Sequence, residues 1–149
     1  MEQYRSEIRE FMIVTTVLDR IYENLAKAAG TRGSLIELFY ALDDGKPHTQ
    51  REICREWLVP KTTVNTLVQK CVHEGYITLL PHSGTKEKEI LLTEEGRRYM
   101  RDLLDVIYDI EREAYEKTIE KFSPDFVPAV TYFTETLGKA FSEHFEHSI

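Results

Sequence analysis

The chain consists mostly of segments whose apolar residues follow helical spacing. In residues 1–28 these residues recur three and four positions apart, which predicts one long amphipathic helix. Its stripe consists of Ile8, Phe11, Met12, Thr15, Leu18, Tyr22 and Leu25. Two glycines within residues 30–33 are expected to end this helix. Ser34 and Glu37 then match a capping box, which predicts a short apolar helix that ends at Leu42.

Two more helices are predicted within residues 49–75. Thr49 and Glu52 match a second capping box, and the helix that follows is predicted to bury Ile53 and Trp57. After a short turn, the spacing predicts another helix, over residues 60–75, with a single apolar stripe. That stripe consists of Val64, Leu67, Val68, Cys71 and Val72.

The pattern changes to strands after Gly75. Residues 76–80 and 90–93 are predicted strands, and the loop of residues 81–88 between them is a candidate wing. A helix, a turn, a second helix and a hairpin in this order predict a winged helix-turn-helix, which is a device for reading duplex DNA.

Two long helices are predicted in the remainder of the chain. Thr93 is a predicted N-cap, since Glu94 and Glu95 follow it in the first turn, where the helix dipole favours acidic side chains. This helix should extend to Phe122. Ser123 and Pro124 are predicted to be the cap and first residue of a last helix, roughly over residues 125–145.

The predicted fold class is mainly α, with a small β-hairpin wing and long helices on both sides of the winged helix-turn-helix. One domain is expected over residues 1–149, with a DNA-binding lobe at 34–96 and a dimerisation lobe at 1–29 and 97–149. Long apolar stripes in both terminal segments favour packing against a second copy, because one small chain offers them little partner surface. A helical bundle within a monomer is the alternative.

The candidate DNA-contacting face is the polar side of the predicted helix at 60–75. Short hydrogen-bonding side chains there can reach base edges, and cations can meet phosphates. The candidates for base contacts are Thr62, Thr63, Asn65, Thr66 and Gln69. Lys61 and Lys70 are assigned to phosphate, and Lys61 has the free backbone amides of the first helical turn beside it. Local capping is an equal alternative for Thr63.

The charge pattern supports this assignment. The formal net charge is −7, so the whole chain is not a general binder of nucleic acids. Between Trp57 and Lys86, however, the sequence has one acidic residue, Glu74. A surface that faces phosphates needs such a depletion, because each carboxylate would repel the DNA backbone. The wing adds two candidate phosphate or minor-groove cations, Lys86 and Lys88.

Four strings of the sequence match a family pattern in order and spacing: Thr-Gln-Arg-Glu-Ile at 49–53, Pro-Lys-Thr-Thr-Val-Asn at 60–65, Glu-Gly-Tyr-Ile at 74–77 and Leu-Thr-Glu-Glu-Gly at 92–96. Through these strings the chain resembles the MarR family of bacterial transcription regulators. The resemblance implies a homodimer formed by the first and last helices, and regulation, more often repression, at a palindromic operator. It also implies release from DNA by a small, often aromatic and anionic, effector that binds in a cleft between the lobes.

The wing departs from the family pattern. Family wings commonly carry an Asp-x-Arg signature before the second strand, and Gly84 and Lys86 occupy those two positions here. Lysine keeps the charge of the arginine but lacks its planar fork, and the supporting aspartate is absent.

Other functions are not indicated. Cys54 and Cys71 lack metal-binding spacing and are expected to act as small apolar residues rather than as redox sensors. His144 and His147 could hold a metal ion, but a solvated helix end is the expectation. No enzyme motif, membrane span or secretory signal is present in the sequence, so we expect a cytoplasmic protein that is not an enzyme and needs no cofactor. A dimeric winged-helix module that binds proteins instead of DNA is the alternative function.

Overall fold

The computed structural model describes residues 2–145, except for the side chain of Glu2. The chain divides into two compact units, Met1–Ile107 and Tyr108–Ile149. In chain order the elements are α1 (Glu2–Ala28), α2 (Gly33–Leu42), β1 (His48–Thr49), α3 (Gln50–Trp57), α4 (Lys61–His73), β2 (Ile77–Pro81), β3 (Lys88–Leu92), α5 (Glu94–Lys121) and α6 (Phe126–Phe145). The predicted class, a mainly helical fold with a small β wing, is confirmed.

Helix α2 begins two residues earlier than predicted, and the capping box at Ser34 and Glu37 is wrong. The N-cap is Arg32, whose backbone is extended and whose side chain makes no capping hydrogen bond. The carbonyl oxygen of Arg32 accepts the amides of Leu35 and Ile36 at 3.0 and 3.4 Å. Ser34 therefore lies inside the first turn, because the helix is started by backbone bonding alone.

Helix α3 begins at a complete capping box, as predicted. The Glu52 amide donates to Thr49 Oγ1 at 3.3 Å, and the Thr49 amide donates to Glu52 Oε2 at 2.7 Å. Ile53 is 1% exposed, but Trp57 is 37% exposed, so the prediction that Trp57 is buried is wrong. The last turn of α3 lies at the edge of the core. There the Trp57 indole stacks on the Tyr40 ring, with 6.0 Å between the ring centroids.

Three antiparallel strands form the wing sheet, in the order β1-β3-β2. In the hairpin, Ile77 pairs with Leu92 and Pro81 pairs with Lys88, so both strands are displaced by one or two residues from their predicted bounds. Strand β1 was not predicted, since two residues carry no alternating pattern. It adds His48 beside Ile90 and thereby connects α3 to the hairpin.

One apolar core supports this winged helix-turn-helix. Its buried members come from α2, α3, the turn between α3 and α4, α4 and the sheet: Leu38, Ala41, Leu42, Ile53, Val59, Val64, Val68, Cys71, Ile77 and Ile90. The predicted stripe of α4 faces this core, with Val64, Val68 and Cys71 buried. The opposite face of α4 is consequently left to solvent.

Helix α5 begins at Thr93, as predicted. Thr93 Oγ1 accepts the Gly96 amide at 3.0 Å and donates to the carbonyl of Gly75 at 2.7 Å. The helix spans 28 residues, and its buried residues are Gly96, Met100, Leu104 and Ile107.

Helix α6 is preceded by a turn. Ser123 Oγ accepts the Asp125 amide at 3.1 Å within this turn. Helix α6 starts at Phe126, so the prediction of Ser123 and Pro124 as its cap and first residue is wrong.

Large apolar side chains remain exposed on α1 and α6. On α1, Met12, Val17 and Leu18 are each at least half exposed. Helix α6 has no buried residue, although it carries Val127, Val130, Phe141 and Phe145.

Candidate nucleic-acid interface

The face of α4 that points away from the core carries the predicted DNA contacts. Lys61, Thr62, Asn65, Thr66, Gln69 and Lys70 are exposed, and Thr63 is half-buried. The helix is 13 residues long, with no acidic residue in its first turn. It therefore presents an uninterrupted polar surface from its N-terminus to its last turn.

The N-terminus of α4 has no side-chain cap in the part of the chain that the structure describes. Its N-cap is Pro60, and the first amide bonded along the helix is that of Val64, which donates to the Pro60 carbonyl at 3.0 Å. The preceding amides, those of Lys61, Thr62 and Thr63, have no intrahelical acceptor. Together with the positive end of the helix dipole and the Lys61 ammonium, they can bind a phosphate group. Thr63 does not cap the helix, so the capping alternative is not supported.

Thr66 and Asn65 differ in the hydrogen bonds that they can offer to a base. The Thr66 hydroxyl donates to the Thr62 carbonyl at 2.8 Å, one helical turn back. Its proton is thus used within the helix, and only its oxygen lone pairs remain. The exposed Asn65 amide carries both donors and an acceptor, which suits it better to a bidentate contact with a base edge.

A groove of about 530 Å³ lies between α3, α4 and the wing. We call it the wing groove. It is lined by Gln50, Arg51, Cys54, Lys61, Gln69, Leu79, Lys86, Glu87 and Lys88. Four of these side chains are cationic and one is acidic. The fold therefore brings Lys61 and Gln69 of α4 together with Lys86 and Lys88 of the wing. In the sequence, the two wing lysines are at least 17 positions away from either residue of α4.

The wing groove also contains Arg51, which the sequence analysis did not single out. Arg51 is exposed on α3, and its Nη1 lies 3.9 Å from Glu87 Oε1 of the wing. The helical spacing of α3 predicts that Arg51 faces solvent, but no pattern in the sequence predicts that the wing lies beside it. The pairing of β1 with β3 brings the wing and α3 together.

The wing closes through a tight turn. The His82 amide donates to the Glu87 carbonyl at 3.2 Å, and the Thr85 amide donates to the His82 carbonyl at 3.3 Å. Gly84 has a φ of +79°, a conformation that a glycine adopts without strain. This backbone explains the glycine at the position where the family wing has an aspartate.

His82 and Glu89 form an ion pair across the base of the wing. His82 Nδ1 lies 2.6 Å from Glu89 Oε1, and this hydrogen bond raises the pKa of the imidazole. His82 at the start of the wing loop is thereby joined to Glu89 of β3.

Lys70 lies apart from the wing groove. Its Nζ is 3.9 Å from Glu74 Oε1, and it lines a different pocket, of about 380 Å³, that we call the tyrosine pocket. The other residues lining it are Gly30, Thr31, Arg32, Leu35, Leu67, Cys71, Glu74, Tyr76 and Tyr99. Tyr76 and Tyr99 stack at 4.5 Å between centroids, and burial raises the pKa of the Tyr99 hydroxyl.

The two cysteines are free thiols in different settings. Burial raises the pKa of the Cys71 thiol to about 11, which keeps it protonated and unreactive near neutral pH. Cys54 is half-buried at the wall of the wing groove.

Residues 2–145 contain no cluster of three or more His, Cys, Asp or Glu side chains suited to a metal ion. His147 lies outside them. Nor does any helix there have the length and apolar character that crossing a membrane requires.

The geometry defines a winged helix-turn-helix with an exposed, uncapped helix beside a cationic wing. The MarR family model matches residues 36–86, from within α2 through β1, α3, α4 and β2 into the wing loop. The resemblance to the MarR family is thus confirmed over this segment. No protein with curated annotation matches the chain by sequence.

Solved structures share the fold over nearly the whole chain. A MarR family regulator from Neisseria meningitidis has a TM-score of 0.73 and 14% identity, covering 96% of this chain and 99% of its own. A mutant MarR from E. coli in complex with operator DNA has a TM-score of 0.63 and 14% identity, covering 87% and 91%. A MarR from Staphylococcus aureus in complex with salicylate and kanamycin has a TM-score of 0.65 and 14% identity, covering 96% and 95%. The chain therefore has the fold of MarR transcription regulators.

Proposed function

We propose that this protein is a sequence-specific DNA-binding transcription regulator, most simply a repressor, and not an enzyme. The observation that carries the proposal is the wing groove, where Lys61, Lys86, Lys88 and Arg51 meet beside the uncapped N-terminus of α4. Cations from three elements beside free helix amides form a surface suited to DNA phosphates. The related fold of the E. coli MarR–operator complex supports this role. Such a role would place the protein in the cytoplasm with the DNA that it regulates.

Within this interface the predicted residues have different roles. Lys61 contacts phosphate at the helix N-terminus, and Asn65 and Gln69 read base edges, with Thr62, Thr63 and Thr66 as secondary contacts. Lys86 and Lys88 follow the backbone or enter the minor groove from the wing. Lys70 contacts phosphate more weakly, because Glu74 competes for its ammonium. Arg51 joins the phosphate contacts.

The protein acts as a homodimer. Both α1 and α6 expose large apolar side chains that a second copy would cover, including Leu18 at 50% and Phe141 at 61% exposure. A two-fold dimer matches two half-sites of a palindromic operator. Light scattering should give twice the chain mass of 17.5 kDa at micromolar concentration. Leu18→Asp should lower that mass, whereas Thr16→Asp, which adds the same charge on the face of α1 that carries Arg9, Arg20 and Lys27, should not.

A small aromatic anion is the proposed effector, and the tyrosine pocket is its proposed site. Arg32 and Lys70 can pair with a carboxylate there, and Tyr76 and Tyr99 can stack on a ring. The S. aureus MarR structure with salicylate supports this class of ligand. Salicylate should lower DNA affinity in the wild-type protein and have less effect on an Arg32→Ala variant.

The test of DNA binding is a fluorescence titration of the gene's own upstream duplex at several salt concentrations. Tight binding to this duplex over a scrambled one is expected. Lys61→Ala should reduce the log–log salt slope by roughly one, whereas Lys117→Ala, which removes a lysine paired with Glu113 on α5, should leave it unchanged. A protein that binds neither duplex even at low salt would favour the alternative, a winged-helix module that binds proteins.

A further inference from the structure

We propose that Glu87 of the wing limits DNA affinity by neutralising Arg51 in the DNA-free protein. This inference rests on the proposed function and concerns the regulation of the same site. Glu87 is the single carboxylate among the described residues that line the wing groove, and it stands between Lys86 and Lys88 in sequence. A carboxylate at this point in a cationic groove repels the ligand that the groove suits.

The position of Glu87 is fixed by the wing backbone. Its carbonyl oxygen accepts the His82 amide at 3.2 Å, and its own amide donates to Thr85 Oγ1 at 3.2 Å. These two bonds hold Glu87 where the wing loop meets β3, so its side chain is presented to α3. There Oε1 lies 3.9 Å from the Arg51 guanidinium.

The consequence is a competition between two anions for one guanidinium. Arg51 is 83% exposed in its side chain, so a DNA phosphate can reach it from solvent. A guanidinium binds carboxylate and phosphate by the same planar arrangement of donors. The phosphate must therefore displace Glu87 from Arg51, and the displaced carboxylate remains within the groove beside the DNA backbone. Both steps oppose binding.

The other acids near the wing act differently. Glu89 is paired with His82, and Glu52 is bonded to Thr49, and neither residue lines the groove. Glu74 is paired with Lys70 on the other side of α4 and lines the tyrosine pocket. The geometry thus assigns the inhibitory role to Glu87 alone among these four acids.

The experiment compares Glu87→Gln with the wild type and with a matched control. The control is Glu23→Gln, which removes an equal charge and breaks an Arg20–Glu23 pair on α1, where the two groups are 3.4 Å apart. We expect Glu87→Gln to bind the upstream duplex about two- to five-fold more tightly at low salt, which is the size of one exposed ion pair. The slope of log affinity against log salt concentration should be steeper for this variant by up to about one unit. In the wild type, the displaced Glu87 carboxylate takes up a salt cation when DNA binds, whereas glutamine takes up none. The Glu23→Gln variant should match the wild type.

A double-mutant cycle separates the contact from general charge. In an Arg51→Ala background, the gain from Glu87→Gln should be smaller than in the wild-type background, because the competition for the guanidinium is gone and only the repulsion between Glu87 and the DNA backbone remains. An equal gain in both backgrounds, or no gain in either, would overturn the proposal. Thermal unfolding of each variant shows that the comparison is made between folded proteins.

A second measurement does not depend on the operator. On a heparin column, Glu87→Gln should elute at higher salt than Glu23→Gln. If no variant binds duplex DNA but this order on heparin holds and the difference narrows in the Arg51→Ala background, then the proposed function fails and the competition at Arg51 stands. If the wild type binds DNA and the two variants elute together with equal DNA affinities, the competition is refuted and the proposed function stands.

Discussion

Gly96 of α5 lies directly against the carbonyl group of Tyr76. A Cβ atom placed on Gly96 would stand 1.9 Å from the Tyr76 carbonyl oxygen, far inside van der Waals contact. The same carbonyl accepts the Thr93 amide at 2.9 Å, and Thr93 Oγ1 donates to the neighbouring Gly75 carbonyl. The two family strings at 74–77 and 92–96 are therefore two sides of one contact, which joins the end of α4 to the start of α5.

Replacing Gly96 by alanine should severely destabilise the first unit. The added methyl group meets backbone rather than a flexible side chain, so α5 or the β2 start must move, at a cost of at least about 3 kcal/mol. Chemical denaturation monitored by circular dichroism measures the decrease in the free energy of unfolding. Gly138→Ala is the control, since nothing lies within 4 Å of its added Cβ and alanine favours a helix by about 0.5–1 kcal/mol. Equal stability of the Gly96 variant and the wild type would contradict the contact.

Sequence patterns predicted most of the fold because its helices are amphipathic over several turns. The stripe of α4 and the caps at Thr49 and Thr93 were predicted to the residue, since each is a local feature. The errors at Ser34 and Trp57 have one cause. A capping string or an apolar residue shows what a position can do locally, whereas the bond or burial that it acquires depends on neighbours distant in sequence.

Removal of the Glu52 charge from the α3 capping box should destabilise the fold in a pH-dependent way. The Thr49 amide bonded to the Glu52 carboxylate lowers the pKa of Glu52. A carboxyl whose pKa is lowered by folding stabilises the native state above its ordinary pKa, and this contribution is lost as the pH falls through the lowered value. Glu52→Gln should therefore be less stable than the wild type at neutral pH, and the difference should shrink as the pH falls from the ordinary pKa of a glutamate through the lowered value. Urea denaturation across this range measures it. A difference that stays constant with pH would argue against the charged cap.

Asn65→Ala should reduce discrimination between the operator and other DNA. Its amide is exposed on α4 and can make two hydrogen bonds to one base, so its loss should cost about 1–3 kcal/mol on the specific duplex and little on a scrambled one. Thr66→Val is the comparison. The Thr66 hydroxyl already donates within the helix, so we expect a smaller loss there. Equal losses on both duplexes for Asn65→Ala would move this residue to the phosphate contacts.

The candidate interface was less predictable than the fold. The charge pattern identified Lys61 and the wing lysines, because depletion of acids is visible in one stretch of sequence. Arg51 was missed because its nearness to the wing depends on the pairing of β1 with β3, and a two-residue strand leaves no periodic signal. The position of Lys70 at the tyrosine pocket likewise depends on how α4 packs, which its exposed side chain does not reveal.

The wing should contribute less to binding than the N-terminus of α4. Lys86 is exposed beside a turn that Gly84 closes with a positive φ, and no aspartate supports it. Ordering a lysine on DNA costs side-chain entropy, and its ammonium lacks the fork of an arginine. Lys86→Ala should therefore weaken binding less than Lys61→Ala, while Lys86→Arg should strengthen it most where an A·T tract narrows the minor groove. Titrations on duplexes that differ only in this tract measure both effects. If Lys86→Ala abolishes binding, or if Lys86→Arg gains equally with and without the tract, Lys86 does not act through the minor groove as described.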